Sequence, residues 1–421
     1  MRLSRKYLYI ALTLVLFISF TVSLLLSPPR SWNDSEPPGW PNKYPEESLQ
    51  GMVAAANRLS YETWLSPPFN SYVLAYASAA YWDAYRAESE EDSIFGLPSS
   101  GAPSSDAGVT AFSRVFYEMV PVPAVKQFVD RYDSGNVRGV EAANTAIKYA
   151  DRDKILETPK TYREILQESG VYNLNKKQVW LPVYNTGPIT EPNWGSMNPI
   201  FLDVLECKAP PPPSYTEDSL TTEAENMVNA NRVAMGADGS NYPLLTSLYA
   251  AWFPRPSIMH SNLTLALDNV FSNMVDDSDL SSLEADRAVL QYVITMNDAR
   301  IVAYRDKYLY RVPAIQSFTN FMTIDFPHHP SYPSEASALA GALDVVVKDN
   351  SIEAKPRLEV AGNMFSQPWN RVLRSTQDLK KEVTALAYLE GLNYTFDLKA
   401  GEELGLCVAG QVSKTMKEKG I

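Results

Sequence analysis

Histidine is nearly absent from this chain. Its 421 residues include three, His260, His328 and His329, so any chemistry needing several imidazoles must use those or do without. Cysteine is scarcer still. Cys207 and Cys407 alone exclude a disulfide scaffold and a cysteine-based zinc site. Positive charge is also short, with 37 Lys+Arg against 49 Asp+Glu and a formal charge of −12. Nucleic acid is therefore not an expected partner, because a phosphate backbone rewards a basic surface. No repeat of fixed period and no long alternating strand pattern occurs. What remains is ample apolar material, 45% of residues, which excludes a disordered chain and suffices for one large core or two domains.

There is one long uncharged apolar run, residues 7–26, preceded by Arg2, Arg5 and Lys6. As a helix it would span a hydrocarbon core of about 30 Å, and the basic flank keeps the N-terminal side in the cytoplasm. The run ends Leu24-Leu25-Leu26-Ser27-Pro28-Pro29, a poor cleavage site, so an uncleaved anchor is expected over a signal peptide. Residues 1–26 thus read as membrane anchor or signal segment and 27–46 as a Pro-rich tether. The rest reads as a body outside the cytoplasm: periplasmic, cell-surface or extracellular. There Cys207 and Cys407 either form one disulfide or stay as buried thiols. Asn33, Asn262 and Asn393 head glycosylation triplets.

The dominant period of that body is helical. Apolar spacing predicts helices over 51–65, 71–86, 108–119, 122–133, 136–151 and 217–234. In the second, Ala75, Ala77, Ala79 and Ala80 sit among aromatics, as close helix packing requires. Residues 170–215, with Trp180, Trp194 and the run Pro210 to Pro213, read as an irregular crossing segment anchored by aromatics. Ser281 with Glu284 forms a capping box that opens a long helix to about Tyr308. Further helices are expected over 334–347, over 377–389 with a stop at Gly391, and from Asp397 onward. The fold class is all-α. Residues 47–215 form an N-terminal half that includes the crossing segment, and 216–421 a C-terminal half.

The most informative stretch is His328-His329-Pro330-Ser331-Tyr332-Pro333-Ser334-Glu335-Ala336, where a helix start can present amides and a hydroxyl to an anion. Upstream, Asp298-Ala299 leads to Lys307-Tyr308-Leu309-Tyr310-Arg311-Val312-Pro313. Downstream come Gly391-Leu392-Asn393-Tyr394-Thr395-Phe396-Asp397, Ala400-Gly401 and Leu404-Gly405. Taken with Ser66-Pro67-Pro68, Asp83-Ala84 and Trp180-Leu181-Pro182 through Pro192-Asn193-Trp194-Gly195 to Pro199, this ordered set resembles the vanadium-dependent haloperoxidases. That group lies within the type 2 phosphatidic acid phosphatase superfamily, and the match runs from about residue 50 to 415.

The resemblance implies a multi-helix bundle around an oxyanion pocket, preceded here by one transmembrane helix. It also implies three separated motifs: a Lys and an Arg six residues apart, then a Ser and an acid/base His, then an Arg and the His that bonds vanadium. A multiply charged oxyanion needs several cations and a lone-pair nitrogen for its central atom. Mapped onto this sequence, Lys307 and Ser334 remain. Arg311 stands near the first arginine position with short spacing, or else Arg305 and Val312 are the aligned pair. The acid/base histidine falls on Ala336, the second arginine on Ala387 and the metal-binding histidine on Asn393. His328 and His329 lie on the lead-in loop and replace neither imidazole without its rearrangement. Glu335 is either a general base beside Lys307 or a first-turn carboxylate favoured by the helix dipole. Lys307 and Arg311 either line the pocket or pair with Asp306 or Asp298 at the surface. His260 reads as a structural residue at a helix start; Tyr308, Tyr310, Trp369 and Tyr394 read as core.

Two functions follow as expectations. The first is an exported, membrane-anchored pseudoenzyme: a scaffold, a binding module or a subunit of a surface assembly. It would hold no vanadate or other metal, and its partners would be the membrane through residues 7–26 and another protein or a second copy. The second is a divergent enzyme whose remodelled pocket (Lys307, Arg311, Ser334, Glu335) does metal-free acid/base chemistry or keeps residual peroxidase or phosphatase activity.

Overall fold

Eleven α-helices build the described part of the chain, and their ends follow the local signals of the sequence. The computed structural model describes residues 46–62, 66–86, 92–98, 103–150, 180, 192–234, 259–318, 329–360, 369–389 and 391–421. Residues 1–38 form one unit and 39–421 another. The expected span 7–26 and the tether, apart from Glu46, lie outside the described residues. Among those described, no helix is long and apolar enough to cross a membrane.

The helices are α1 (Leu49–Glu62), α2 (Pro67–Arg86), α3 (Ser105–Met119), α4 (Pro123–Tyr132), α5 (Val137–Tyr149), α6 (Glu217–Ala234), α7 (Met259–Asp276), α8 (Ser282–Tyr310), α9 (Glu335–Asp349), α10 (Thr376–Leu389) and α11 (Thr395–Glu418). The all-α expectation holds, with one small addition among the described residues. Arg357–Val360 and Trp369–Val372 pair as an antiparallel two-stranded hairpin, with Arg357 opposite Val372. Strands of four residues are too short to show a period of two, so the pattern missed them. The sequence also marked a helix start at His260 but not the length of α7.

The long helix α8 is the axis of the bundle. Its capping box is present: Ser281 Oγ accepts the Glu284 N–H, and the Glu284 carboxylate accepts the Ser281 N–H at 2.8 Å. From Ala285 to Lys307 nearly every side chain is buried, because α8 packs against α2 on one side and α9 and α11 on another. A helix buried all round carries little amphipathic contrast, yet its capping box and the face traced by Ala285, Ala288, Val289, Tyr292, Val293 and Met296, all buried, were both readable in the sequence.

Two devices fix what lies against α8. The first ties down the irregular segment before α6, whose backbone amides have no ladder partner of their own. Buried Asp298 accepts the Ile200 and Phe201 N–H groups at 2.9 and 3.2 Å, and Asp306 accepts that of Ala209 at 2.7 Å. Arg305 bonds the Leu205 and Cys207 carbonyls, and Cys207 is disulfide-bonded to Cys407 on α11 across 200 residues of sequence. Trp180 and Trp194 are buried, as the aromatic-anchor reading requires.

The second device brings α9 and α11 into backbone contact. A Cβ on Gly401 would sit 2.1 Å from the Ser334 carbonyl oxygen, and one on Gly405 would sit 1.9 Å from that of Ala338. Only glycine permits that approach. The start of α9 therefore lies directly on the first turns of α11.

Candidate functional site

The site is assembled where the C-terminus of α8, the start of α9 and the start of α11 meet. Ser334 is the N-cap of α9: its Oγ accepts the Ser337 N–H at 3.3 Å, and its own N–H donates to the Asp397 carbonyl at 3.0 Å. The same hydroxyl donates to Asn393 Oδ1 at 2.9 Å. From its other end, the Asn393 carboxamide donates through Nδ2 to the Ser331 carbonyl at 2.8 Å.

Lys307, in the last turn of α8, is 1% exposed, so the surface-pairing alternative does not hold. Its ammonium donates to the Pro330 and Ser331 carbonyls, each at 3.0 Å. Burial lowers the proton affinity of Lys307, opposed by the Glu335 and Asp397 carboxylates. Burial raises that of Asp397, opposed by the Tyr394 amide, Lys307, Ser331 and Asn393. Asp397 Oδ2 accepts the Tyr394 N–H at 2.8 Å.

Glu335 occupies the first turn of α9 and is paired. Arg300 Nε donates to its Oε1 at 2.8 Å, with the arginine side chain 1% exposed and the carboxylate 14%. A second arm of Arg300 reaches Ser71 Oγ on α2. The carboxylate thus serves the helix start and an ion pair, and is not set up as a free base.

The remaining expected residues do not converge on this point. Arg311 ends α8 in a left-handed conformation (φ 51°), and its Nε turns back to the Tyr308 carbonyl at 3.0 Å. No hydrogen bond or ion pair among the described residues ties it to Ser334, Glu335 or Asn393. Arg305, the other alignment for that cation, pairs with Asp306 and holds the irregular segment. Ala336 is half-buried against the core and Ala387 is buried inside α10. His329 is buried, with Nδ1 2.9 Å from the Pro330 carbonyl oxygen and its ring edge-on to Tyr304. His328, Asn33 and the side chains of His260, Asn262 and Trp369 lie outside the described residues. Asn393 is buried and doubly bonded, so the folded chain has no place for a glycan there.

Sequence reasoning missed Arg300, Ser331 and Asp397. Arg300 lies two turns before Lys307 on α8, a spacing that puts both cations on one face. Asp397 stands one turn beyond Asn393. Either spacing was a usable signal.

No family model and no curated protein sequence matches the chain. Solved structures do. The chain is similar to the first bacterial vanadium-dependent iodoperoxidase, with a TM-score of 0.69 and 16% identity over 91% of this chain and 98% of that one. It is also similar to the holo-type bacterial vanadium-dependent chloroperoxidase, with a TM-score of 0.62 and 11% identity over 92% and 97%. The apo-type enzyme gives a TM-score of 0.59 and 11% identity over 83% and 93%. At these identities the likeness establishes a haloperoxidase-related fold and nothing finer.

Proposed function

We propose that this chain is a haloperoxidase-fold protein that has lost vanadate-dependent chemistry and serves outside the cytoplasm as a membrane-anchored scaffold or binding subunit. The observation that carries this reading is the state of the polar groups at the start of α9. Two cations, Lys307 and Arg300, face two carboxyl groups, Glu335 and Asp397. A multiply charged oxyanion would enter a site whose positive charge is already matched, and buried like charges without partners cost several kcal/mol.

Vanadate does not fit the donor set. Asn393 offers a carboxamide where bonding the metal needs an imidazole lone pair. The Ser334 hydroxyl is given to that carboxamide, and Lys307 spends two of its three N–H donors on carbonyls. Ala336 transfers no proton and Ala387 carries no charge. The disulfide supports an oxidising compartment, since such bonds are rare where glutathione keeps thiols reduced.

Incubating the purified chain with orthovanadate, hydrogen peroxide and bromide or iodide tests the reading. The expected outcome is no halide oxidation above the metal-free control and no vanadate uptake by equilibrium dialysis. Vanadate-dependent turnover, or phosphatase turnover of an aryl phosphate, would refute it.

A further inference from the structure

The hydrogen-bond network at the start of α9 brings together four groups with chemistry of their own. Lys307 Nζ and Asn393 Nδ2 donate to one acceptor, the Ser331 carbonyl oxygen, at 3.0 and 2.8 Å. Sharing that acceptor keeps the two nitrogens no farther apart than the two bonds laid end to end. The lysine amine is thus within a side-chain rotation of the Asn393 carboxamide carbon. On the far side of that carbon, Oδ1 accepts the Ser334 hydroxyl at 2.9 Å. Asp397, fully buried four residues beyond Asn393, gives its Oδ2 to the Tyr394 N–H and leaves Oδ1 without a hydrogen-bond partner among the described residues, and its charge acts on that of Lys307. The stacked rings of Tyr394 and Phe396, centroids 5.2 Å apart, flank this carboxyl in the chain, and Tyr332 packs against Phe396.

We propose that Lys307 and Asn393 join in an intramolecular isopeptide bond, with Asp397 carrying the proton and Ser334 polarising the carboxamide. The neutral amine attacks Asn393 Cγ. The Nζ–Cγ bond forms while the carbonyl π pair moves onto Oδ1, where the Ser334 O–H stabilises the developing oxyanion. When the tetrahedral centre collapses, the Cγ–Nδ2 bond breaks. The protonated Asp397 carboxyl delivers its proton to Nδ2, which leaves as ammonia, and takes one back from Nζ. A lysine amine and a primary carboxamide become a secondary amide and one ammonia, with no oxidant, metal or cofactor.

Burial, which bars a substrate, assists this reaction. It favours the neutral amine over the ammonium and the protonated carboxyl over the carboxylate, the directions found for Lys307 and Asp397. Holding both reactants on one carbonyl supplies the proximity that an intramolecular acyl transfer needs. The bond would tie α8 to the segment before α11. It does not rest on the loss of vanadate chemistry: a chain of unchanged mass would leave that reading standing.

The test is mass spectrometry of the folded, full-length chain after reduction and tryptic digestion. The expected result is a branched peptide joining Lys307 to Asn393, lighter than its two parts by one ammonia, with no cleavage after Lys307. Asp397→Ala and Asn393→Ala should each abolish the branch, and Lys307→Arg should do so while keeping the charge. Separate, unmodified Lys307 and Asn393 peptides from the wild-type chain would overturn the proposal, whether or not any variant folds. So would a branched product lighter by one water, which would join Lys307 to Asp397 instead.

Discussion

Removing the Cys207–Cys407 disulfide should cost a large part of the fold's stability. The bond closes a loop of 200 residues. In the chain-entropy account, a loop of that length gives about 5 kcal/mol by restricting the unfolded chain. That is a large share of the roughly 5–15 kcal/mol by which folded domains are stable. A Lys307–Asn393 bond would shorten the path between the cysteines, but the dependence is logarithmic and the figure stays at about 5 kcal/mol. The folded state should change little. With the disulfide gone, Asp298 still receives the Ile200 and Phe201 amides, Asp306 that of Ala209, and Arg305 still holds the Leu205 and Cys207 carbonyls. Urea titration of the oxidised chain, the reduced chain and the Cys207→Ala/Cys407→Ala double variant, followed by circular dichroism, reads the effect. The expected result is an unchanged native spectrum, a lower midpoint and a steeper denaturant dependence, because an uncrosslinked chain exposes more surface. A loss below about 1 kcal/mol would refute the entropic reasoning for this bond and assign the segment's stability to its three charged anchors.

Two further perturbations follow from the same contacts. Gly405→Ala would place a methyl 1.9 Å from the Ala338 carbonyl oxygen; forcing α9 from α11 should cost at least about 1–3 kcal/mol, seen as a lower melting temperature, and an unchanged melt would contradict the close approach. The second concerns pH. Burial raises Asp83, Asp268 and Asp286 to about 6 and Asp298 to about 7. The folded chain therefore keeps protons that the unfolded chain releases from about pH 4 upward. This stabilisation is complete below the unfolded value and lost as pH rises through 6 to 7, so the melting temperature should be higher at pH 5 than at pH 8. Lys307, displaced downward by burial, titrates above that window. A melting temperature that rises from pH 5 to pH 8 would show that hydrogen bonds to these carboxylates outweigh their burial.

The bundle was legible in the sequence because its helices announce their ends. Ser281 with Glu284 started α8, and the stop expected at Gly391 is there: the Leu392 and Gly391 N–H groups close on Ala387 and Tyr388 after α10. The hairpin was not legible, since its strands are shorter than the pattern that reveals them. The disulfide was one of two readings the sequence left open, because two cysteines 200 residues apart carry no signal of contact to decide between a bond and free thiols. At the site, Ser334, Lys307, Glu335 and Asn393 were named from motif position, but their partners were not. A motif is local, while Ser334 bonds Asn393 across 59 residues and Arg300 reaches Glu335 across 35. Arg311 shows the limit most clearly. Its place in the chain pointed to the pocket, and its backbone dihedral turned it back onto its own helix.

The retained residues need no catalytic reason for their presence. Ser334 caps α9 on the amide of Ser337, and a lost cap of this kind costs about 1 kcal/mol. Lys307 satisfies two buried carbonyls of the turn that precedes Ser334. Arg300 ties α8 to α9 through Glu335 and to α2 through Ser71. Each of these side chains stabilises the junction of α8, α9 and α11 whether or not an anion is bound. On the proposed reading, Ala387 and Ala336 have the complementary property: in place of an arginine and a histidine they leave no charged group without an anion to meet it, and an unmatched buried charge is expensive. Asn393 carries both a donor and an acceptor, and it uses the two to join Ser334 to Ser331. Loss of the oxyanion would leave an unreplaced site with an excess of positive charge. On the proposed reading, Ala336, Ala387 and Asn393 with the two carboxyl groups would bring it to neutrality, and the junction of α8, α9 and α11 would stand without a ligand.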